Sequence, residues 1–187
     1  MRVISGDKKG QRLVSLKRGK LRPTSDKVKG AIFNVIQSVE GKKVLDLFAG
    51  SGALGIEALS RGAEKVVFVE NSYASINLVR KNLERFGFKN KTVVIKKEVL
   101  KFLKGGRREH FDLILADPPY GKGICQKIID ILAYQSFLNT DGILVIEHHK
   151  KEKIEKGLNF ILLKQGKYGD TRVSFFCKKS SNYKELL

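Results

Sequence analysis

The chain is poor in the residues that staple or interrupt a fold: its 187 residues include two cysteines, three prolines, one methionine and no tryptophan. Cys125 and Cys177 lie far apart in apolar surroundings, so no disulfide framework is expected and a reduced, cytoplasmic protein is the simplest reading. A single domain of this length hides roughly 70% of its unfolded surface, enough to fold without staples. No stretch approaches the roughly 18 apolar residues of a membrane span, and Met1-Arg2-Val3-Ile4-Ser5-Gly6 has no signal-peptide core. Pro/Gly-rich linkers, internal repeats and low-complexity segments are also missing. Acidic residues are scarce beside basic ones, 19 against 37, for a net charge of +18 and a pI near 10.0. Residues 1–30 hold ten of the basic and two of the acidic residues, a net +8. Such a stretch suits a nucleic acid, with a solvated basic surface or an acidic membrane as the plainer alternatives.

Residues 1–22 alternate short apolar and basic pieces around Gly6, Gly10 and Gly19, a pattern of extended strands and turns that predicts a basic N-terminal extension or hairpin. Arg22-Pro23-Thr24-Ser25-Asp26 supplies helix-start residues, and Val28, Ala31, Ile32, Val35 and Ile36 follow at helical spacing. Strands and helices then alternate. Strands are expected at Lys43–Phe48, Lys65–Glu70, Thr92–Ile95, Phe111–Ala116 and Gly142–Glu147. Helices are expected at Ala53–Arg61, Ser72–Phe86, Val99–Leu103, Ile124–Leu132 and Lys151–Lys156. Two closing strands near Phe160–Leu163 and Arg172–Cys177 have no clear helix between them. The pattern predicts a doubly wound, mostly parallel α/β sheet with one antiparallel strand near the C-terminus.

Two of the three prolines are adjacent, in Asp117-Pro118-Pro119-Tyr120, directly after the apolar run Phe111–Ala116. That run reads as a strand covered on both faces, and open α/β sheets bind ligands at the carboxyl ends of such strands. Proline rings fix the backbone and hold its carbonyls in set directions. A carboxylate oxygen and a carbonyl oxygen side by side can accept both hydrogens of an amino group. On a nucleobase that amine is a poor nucleophile, because its lone pair is delocalised into the ring. Drawing on its hydrogens returns the lone pair to nitrogen, and Tyr120 can stack on the base. A proline-rich tight turn is the plainer reading of the same four residues.

The stretch Asp46-Leu47-Phe48-Ala49-Gly50-Ser51-Gly52-Ala53-Leu54-Gly55 contains a literal G-x-G-x-x-G between a strand and a helix. Glu70 ends the next strand, twenty residues after Gly50. Strand, glycine loop, helix and terminal carboxylate in this register predict a nucleotide site, with Glu70 accepting from ribose hydroxyls. NAD and S-adenosylmethionine both suit such a loop, and Asp46 separates them. A buried carboxylate facing the loop repels a pyrophosphate and stabilises an ammonium or sulfonium charge. Glu98 stands where it can accept from an adenine amine, or serve as an ordinary acid at a helix start. His148 and His149 are adjacent on a strand and point to opposite faces, so no metal site is expected.

Asp46 to Gly55, Glu70, Asp117 to Tyr120, Arg22-Pro23-Thr24 with Lys29 to Asn34, and Tyr168-Gly169-Asp170-Thr171 together resemble the RsmD family, bacterial small-subunit (16S) ribosomal RNA guanine-N2 methyltransferases. The resemblance spans Arg2 to about Phe176. It departs at Ser5, where the family carries glycine, and at Glu98, where related enzymes carry aspartate. It implies a Rossmann-like class I S-adenosylmethionine-dependent fold with a seven-stranded sheet, divided into a basic extension (1–22), a methyltransferase domain (23–180) and a tail (181–187). The cofactor residues it implies are Asp46, Phe48, Ala49, Gly50, Ser51, Gly52, Gly55, Glu70, Asn71, Glu98, Val99 and Asp117. Asp117, Pro118, Pro119 and Tyr120 are its catalytic set. Arg2, Arg12, Arg22, Thr24, Tyr168 and Arg172 are candidates for holding RNA. The implied enzyme is a cytoplasmic monomer, without a metal or membrane attachment, that acts on ribosomal RNA in an assembling or assembled 30S particle.

Overall fold

The computed structural model describes residues 1–15, 25–105, 109–155, 157 and 159–179. Arg22, Thr24 and the tail from 181 to 187 therefore lie outside the described residues. The elements run α1 (Asp26–Ile36), β1 (Lys43–Leu47), α2 (Ala53–Ser60), β2 (Lys65–Glu70), α3 (Tyr73–Phe86), β3 (Thr92–Lys96), α4 (Val99–Lys104), β4 (Phe111–Ala116), α5 (Ile124–Tyr134), β5 (Leu138–His149), β6 (Phe160–Tyr168) and β7 (Thr171–Lys178).

The seven strands form one sheet in the order β3-β2-β1-β4-β5-β7-β6. Six strands run parallel, and β7 lies antiparallel between β5 and β6. The mainly apolar sequences of β1, β2 and β4 suit strands buried on both faces, and the burial of each is nearly unbroken. One apolar layer packs the sheet against α1, α2, α3 and the N-terminal arm through Phe33, Leu59, Phe68 and Phe86. The other packs it against α4 and α5 through Phe102, Ile128, Leu132 and Phe176.

β1 is flanked by β2 and β4, so the chain winds one way from β1 and the other way into β4. Their carboxyl ends form the switch point at which such sheets take ligands. Three helices begin with side-chain caps that satisfy free N–H groups of the first turn. Ser25 accepts from Val28 N on α1, Ser72 from Ser75 N on α3, and Glu98 from Leu100 N and Lys101 N on α4.

The helix expected at Lys151–Lys156 does not form over the residues described there. Residues 151–155 make a turn and then non-helical chain, opened by a hydrogen bond from Glu152 N to His149 O. Lys151 N is taken by His149 Nδ1 and Glu155 N by the side chain of Gln126, and so short a segment does not offset the cost of nucleating a helix. β5 starts at Leu138, four residues before the expected Gly142, because Phe111 N bonds to Phe137 O and the register against β4 shifts after Leu138.

The N-terminal arm folds back on itself through an antiparallel bridge between Arg2 and Arg12 and docks on α2 and α3. Not all of the basic residues counted at this end face solvent. Lys29 is fully buried: its ammonium lies 3.3 Å from the buried Glu57 carboxylate and donates to the Arg2 carbonyl oxygen. Burial lowers the Lys29 pKa against the pull of Glu57.

Candidate active site

The loop from β1 to α2 turns on unusual backbone. Phe48 has φ 60°, Gly50 56° and Gly52 80°. A bulky residue such as Phe48 rarely adopts this left-handed conformation, and such strain gathers at functional sites. The glycines divide the work. A Cβ on Gly50 would meet nothing nearer than Phe48 O at 3.9 Å, leaving its backbone open to a close ligand, whereas a Cβ on Gly55 would lie 2.3 Å from Phe68 Cε1. Gly55 thus lets α2 press onto the sheet, and its N–H donates to Asp46 Oδ2 at 2.9 Å.

Three carboxylates converge on this loop. Asp46 is 2% exposed, and burial pushes its pKa up to about 7; Asp117 and Glu70 raise it by their charge, while the Gly55 N–H opposes the rise. Glu70 accepts from Gly50 N at 3.0 Å through one oxygen and from Asn71 N and Ser72 N at 2.7 and 2.8 Å through the other. It fastens the loop to the start of α3, with one lone pair, on the oxygen that faces Gly50, left for a further donor. Asp117 directly follows Ala116, which pairs with Leu47. An acidic pocket under an open glycine backbone fits a cationic nucleoside and opposes a pyrophosphate, so the donor set matches S-adenosylmethionine.

The turn after β4 is tied from a distance. Pro118 is buried and Pro119 exposed. The Tyr120 hydroxyl lies 2.9 Å from Thr171 Oγ1 and 3.4 Å from Glu147 Oε1. Thr171 begins β7 directly after the Gly169-Asp170 turn and is 1% exposed. Asp170 is held in turn: its carbonyl accepts from Lys150 N and its carboxylate pairs with Lys150 Nζ at 2.8 Å. Two segments that stand fifty residues apart in sequence therefore meet through one hydroxyl pair. The Tyr120 ring lies 5.5 Å from that of His149, beside an open cleft of about 500 Å³ lined by Tyr120, Gly121, Gly123, His149, Lys151 and Glu152. Tyr168 ends β6 rather than standing in the loop, half-buried with its ring over Gly166.

The structure gathers Asp46, Phe48, Ala49, Gly50, Ser51, Gly52, Glu70, Asn71, Asp117 and Tyr120 at the carboxyl ends of β1, β2 and β4. Glu98 caps α4 with both carboxylate oxygens, the helix-start task that the sequence left open for it, and Val99 is buried behind it. Arg2 and Arg12 are exposed on the arm, and Arg172 is half-buried on β7. His148 is buried, with Nε2 at 2.9 Å from Ser174 Oγ, and the described residues contain no metal-binding cluster of three or more His, Cys, Asp or Glu. Sequence reasoning passed over Glu147 and Asn82. Glu147 ends the apolar run Ile143–Ile146 with a carboxylate, which was a usable signal; Asn82 sits inside an ordinary amphipathic helix and gave none.

A doubly wound sheet with β7 inserted antiparallel, a glycine loop and a carboxylate at the end of β2 define a Rossmann-like methyltransferase fold. The structure of yhhF from Escherichia coli superposes with a TM-score of 0.84 at 27% identity, covering 96% of this chain and 98% of that one. Residues 1–177 match the family model described as Conserved hypothetical protein 95, and the chain belongs to that family. Among its relatives is ribosomal RNA small subunit methyltransferase D of Haemophilus influenzae, 35% identical over 88% of this chain and 87% of that protein. The Escherichia coli protein of the same name is 33% identical over 84% of this chain and 77% of its own length. The Ser5 departure is accommodated: its N–H donates to Glu57 and its carbonyl accepts from Ser60 Oγ.

Proposed function

We propose that the protein is an S-adenosylmethionine-dependent ribosomal RNA methyltransferase that modifies the N2 amino group of a guanine in small-subunit ribosomal RNA. The observation that carries this reading is the convergence of Asp46, Glu70 and Asp117 on one glycine loop, with Asp117-Pro118-Pro119-Tyr120 beside it. When bound, S-adenosylmethionine supplies a methyl group already activated by a positively charged sulfur. Asp46, Phe48 to Gly52, Glu70 and Asn71 would hold it, with Glu70 receiving a ribose hydroxyl on its remaining lone pair.

Asp117 and the Pro118 carbonyl accept the two hydrogens of the guanine amine, which returns its lone pair to nitrogen and fixes its direction. Tyr120, tethered to Thr171 and Glu147, presents a ring on which the base stacks. Because the N2 amine is engaged in pairing within a duplex, the substrate base comes from a loop or is flipped out. Positioning and electrostatics supply most of the rate, without strong general-base assistance. Arg2, Arg12, Tyr168 and Arg172 are placed in this reading on the surrounding phosphates and nucleotides, within an assembling or assembled 30S particle.

The test is to incubate the protein with S-adenosylmethionine and either ribosomal RNA or 30S particles and identify the methylated nucleoside by mass spectrometry. N2-methylguanosine is the expected product. N6-methyladenosine would keep the amino-group chemistry and overturn the base assignment.

A further inference from the structure

One buried side chain joins two parts of the molecule that the proposed function treats separately. Asn82 on α3 is fully buried. Its Oδ1 accepts from Val14 N at 2.8 Å, while its Nδ2 donates to Val14 O at 3.0 Å and to Ser51 O at 2.9 Å. Val14 belongs to the N-terminal arm, and Ser51 lies in the glycine loop between Gly50 and Gly52. Both donor hydrogens and one acceptor position of the amide serve backbone groups, and the amide bridges the arm to the glycine loop.

The rest of the arm is clamped by the neighbouring helix. Glu57 accepts from Ile4 N and Ser5 N, Ser60 Oγ accepts from Lys8 N, and Ser60 O accepts from Asp7 N. Gly6 passes so close that a Cβ there would lie 1.6 Å from Ser60 O. The arm therefore rests along α2, the helix that the glycine loop begins, and its far end is knotted to the loop itself through Asn82. If the arm shifts, Asn82 must either follow Val14 and release Ser51 or keep Ser51 and leave its own buried Oδ1 without the Val14 donor. An unpaired buried polar group costs about 1–3 kcal/mol, so the two engagements are coupled.

We propose that Asn82 is a positioning residue that links docking of the N-terminal arm to the cofactor-binding geometry of the glycine loop, so that S-adenosylmethionine affinity reports the state of the arm. The inference rests on the reading of that loop as the S-adenosylmethionine site. Because the arm carries exposed Arg2 and Arg12, a polyanion gripping it acts on the cofactor through the same link, and the coupling is reciprocal.

The test is a double-mutant cycle read by calorimetry of S-adenosylmethionine binding to the full chain. Val14→Pro removes the arm's N–H without altering the loop, and Asn82→Leu removes the link. Val14→Pro is expected to weaken cofactor binding by about tenfold, toward the lower end of the usual range for coupled sites. In the Asn82→Leu background, Val14→Pro is expected to weaken it no further. At saturating cofactor the Val14→Pro protein should retain its kcat, with the loss confined to KM for S-adenosylmethionine. Gly6→Ala, which forces the arm off α2, is the second arm variant should Val14→Pro fail to fold, and it should act in the same direction. Unchanged cofactor affinity in a folded arm variant, or additive losses in the double mutant, would overturn the link. A wild-type protein that does not bind S-adenosylmethionine would instead sink the reading of the loop.

Discussion

At the scale of single residues, Asp46 makes the sharpest claim, because its carboxyl sits at about 7 instead of the ordinary 3.8. A folded-state pKa above the unfolded one means that protonation stabilises the fold. That contribution is complete below about 3.8 and is lost as pH rises through about 7. A cation placed in the pocket favours the charged form and lowers the pKa again. At pH 7, binding of S-adenosylmethionine should therefore release roughly half a proton, since the carboxyl is about half protonated there. Calorimetry in buffers of different ionisation enthalpy measures that release, and Asp46→Asn should abolish it. A buffer-independent enthalpy in the wild type would count against the pocket's assigned charge. In the proposed function Asp117 acts on the amine instead, so Asp117→Ala should lower kcat by on the order of 10²–10³ with cofactor affinity nearly unchanged. Glu70→Ala should show the opposite split in calorimetry and kinetics, weaker cofactor binding above all, since it loses the ribose acceptor and frees Gly50, Asn71 and Ser72 N–H groups together.

At the scale of elements, the close pass of α2 over the sheet depends on a missing atom at position 55. Gly55→Ala sets a methyl against Phe68 and Val66, so the helix must lift or the ring must turn, at an expected cost of about 1–3 kcal/mol. Chemical denaturation measures it; an unchanged unfolding midpoint would show that the contact yields freely. The regular elements were legible because their residues carry their own instructions. β1, β2 and β4 are mainly apolar, Ser72 and Gly87 bracket α3, and the glycine loop falls between a strand and a helix. The stretch from Lys151 misled because a helix needs Glu155 N to turn back on its own segment, whereas it bonds to the distant side chain of Gln126. The start of β5 was hidden because Asn139, Thr140 and Asp141 are polar, and only pairing with β4 draws that stretch into the sheet. At the site, the carboxylates and glycines were legible as types at a spacing. The tether from Tyr120 to Thr171 was not, since a hydrogen bond across fifty residues leaves no local pattern. Asn82 was hidden for the same reason.

At the scale of the whole molecule, the excess of 18 positive charges predicts that RNA is held largely by phosphate contacts. Affinity should then fall by about 10³–10⁵ as salt rises from about 50 to 200 mM, the loss expected for a protein making 6–10 such contacts. Filter binding across that range measures it, and a flat response would remove the electrostatic part of the reading. Buried Lys29 is excluded from that count, since its charge is spent on Glu57 and the arm. No helix among the described residues is long and apolar enough to cross a membrane. The insertion of β7 between β5 and β6 also orders events in time. A ribosome delivers β6 before β7, so β6 must wait beside a sheet it cannot yet join, and β5 keeps an open edge until residues 171–178 arrive. Those same residues bring the Thr171 hydroxyl to Tyr120. A nascent chain can therefore complete its glycine loop well before the turn after β4 is anchored, and the tether from Tyr120 to Thr171 is among the last contacts it gains.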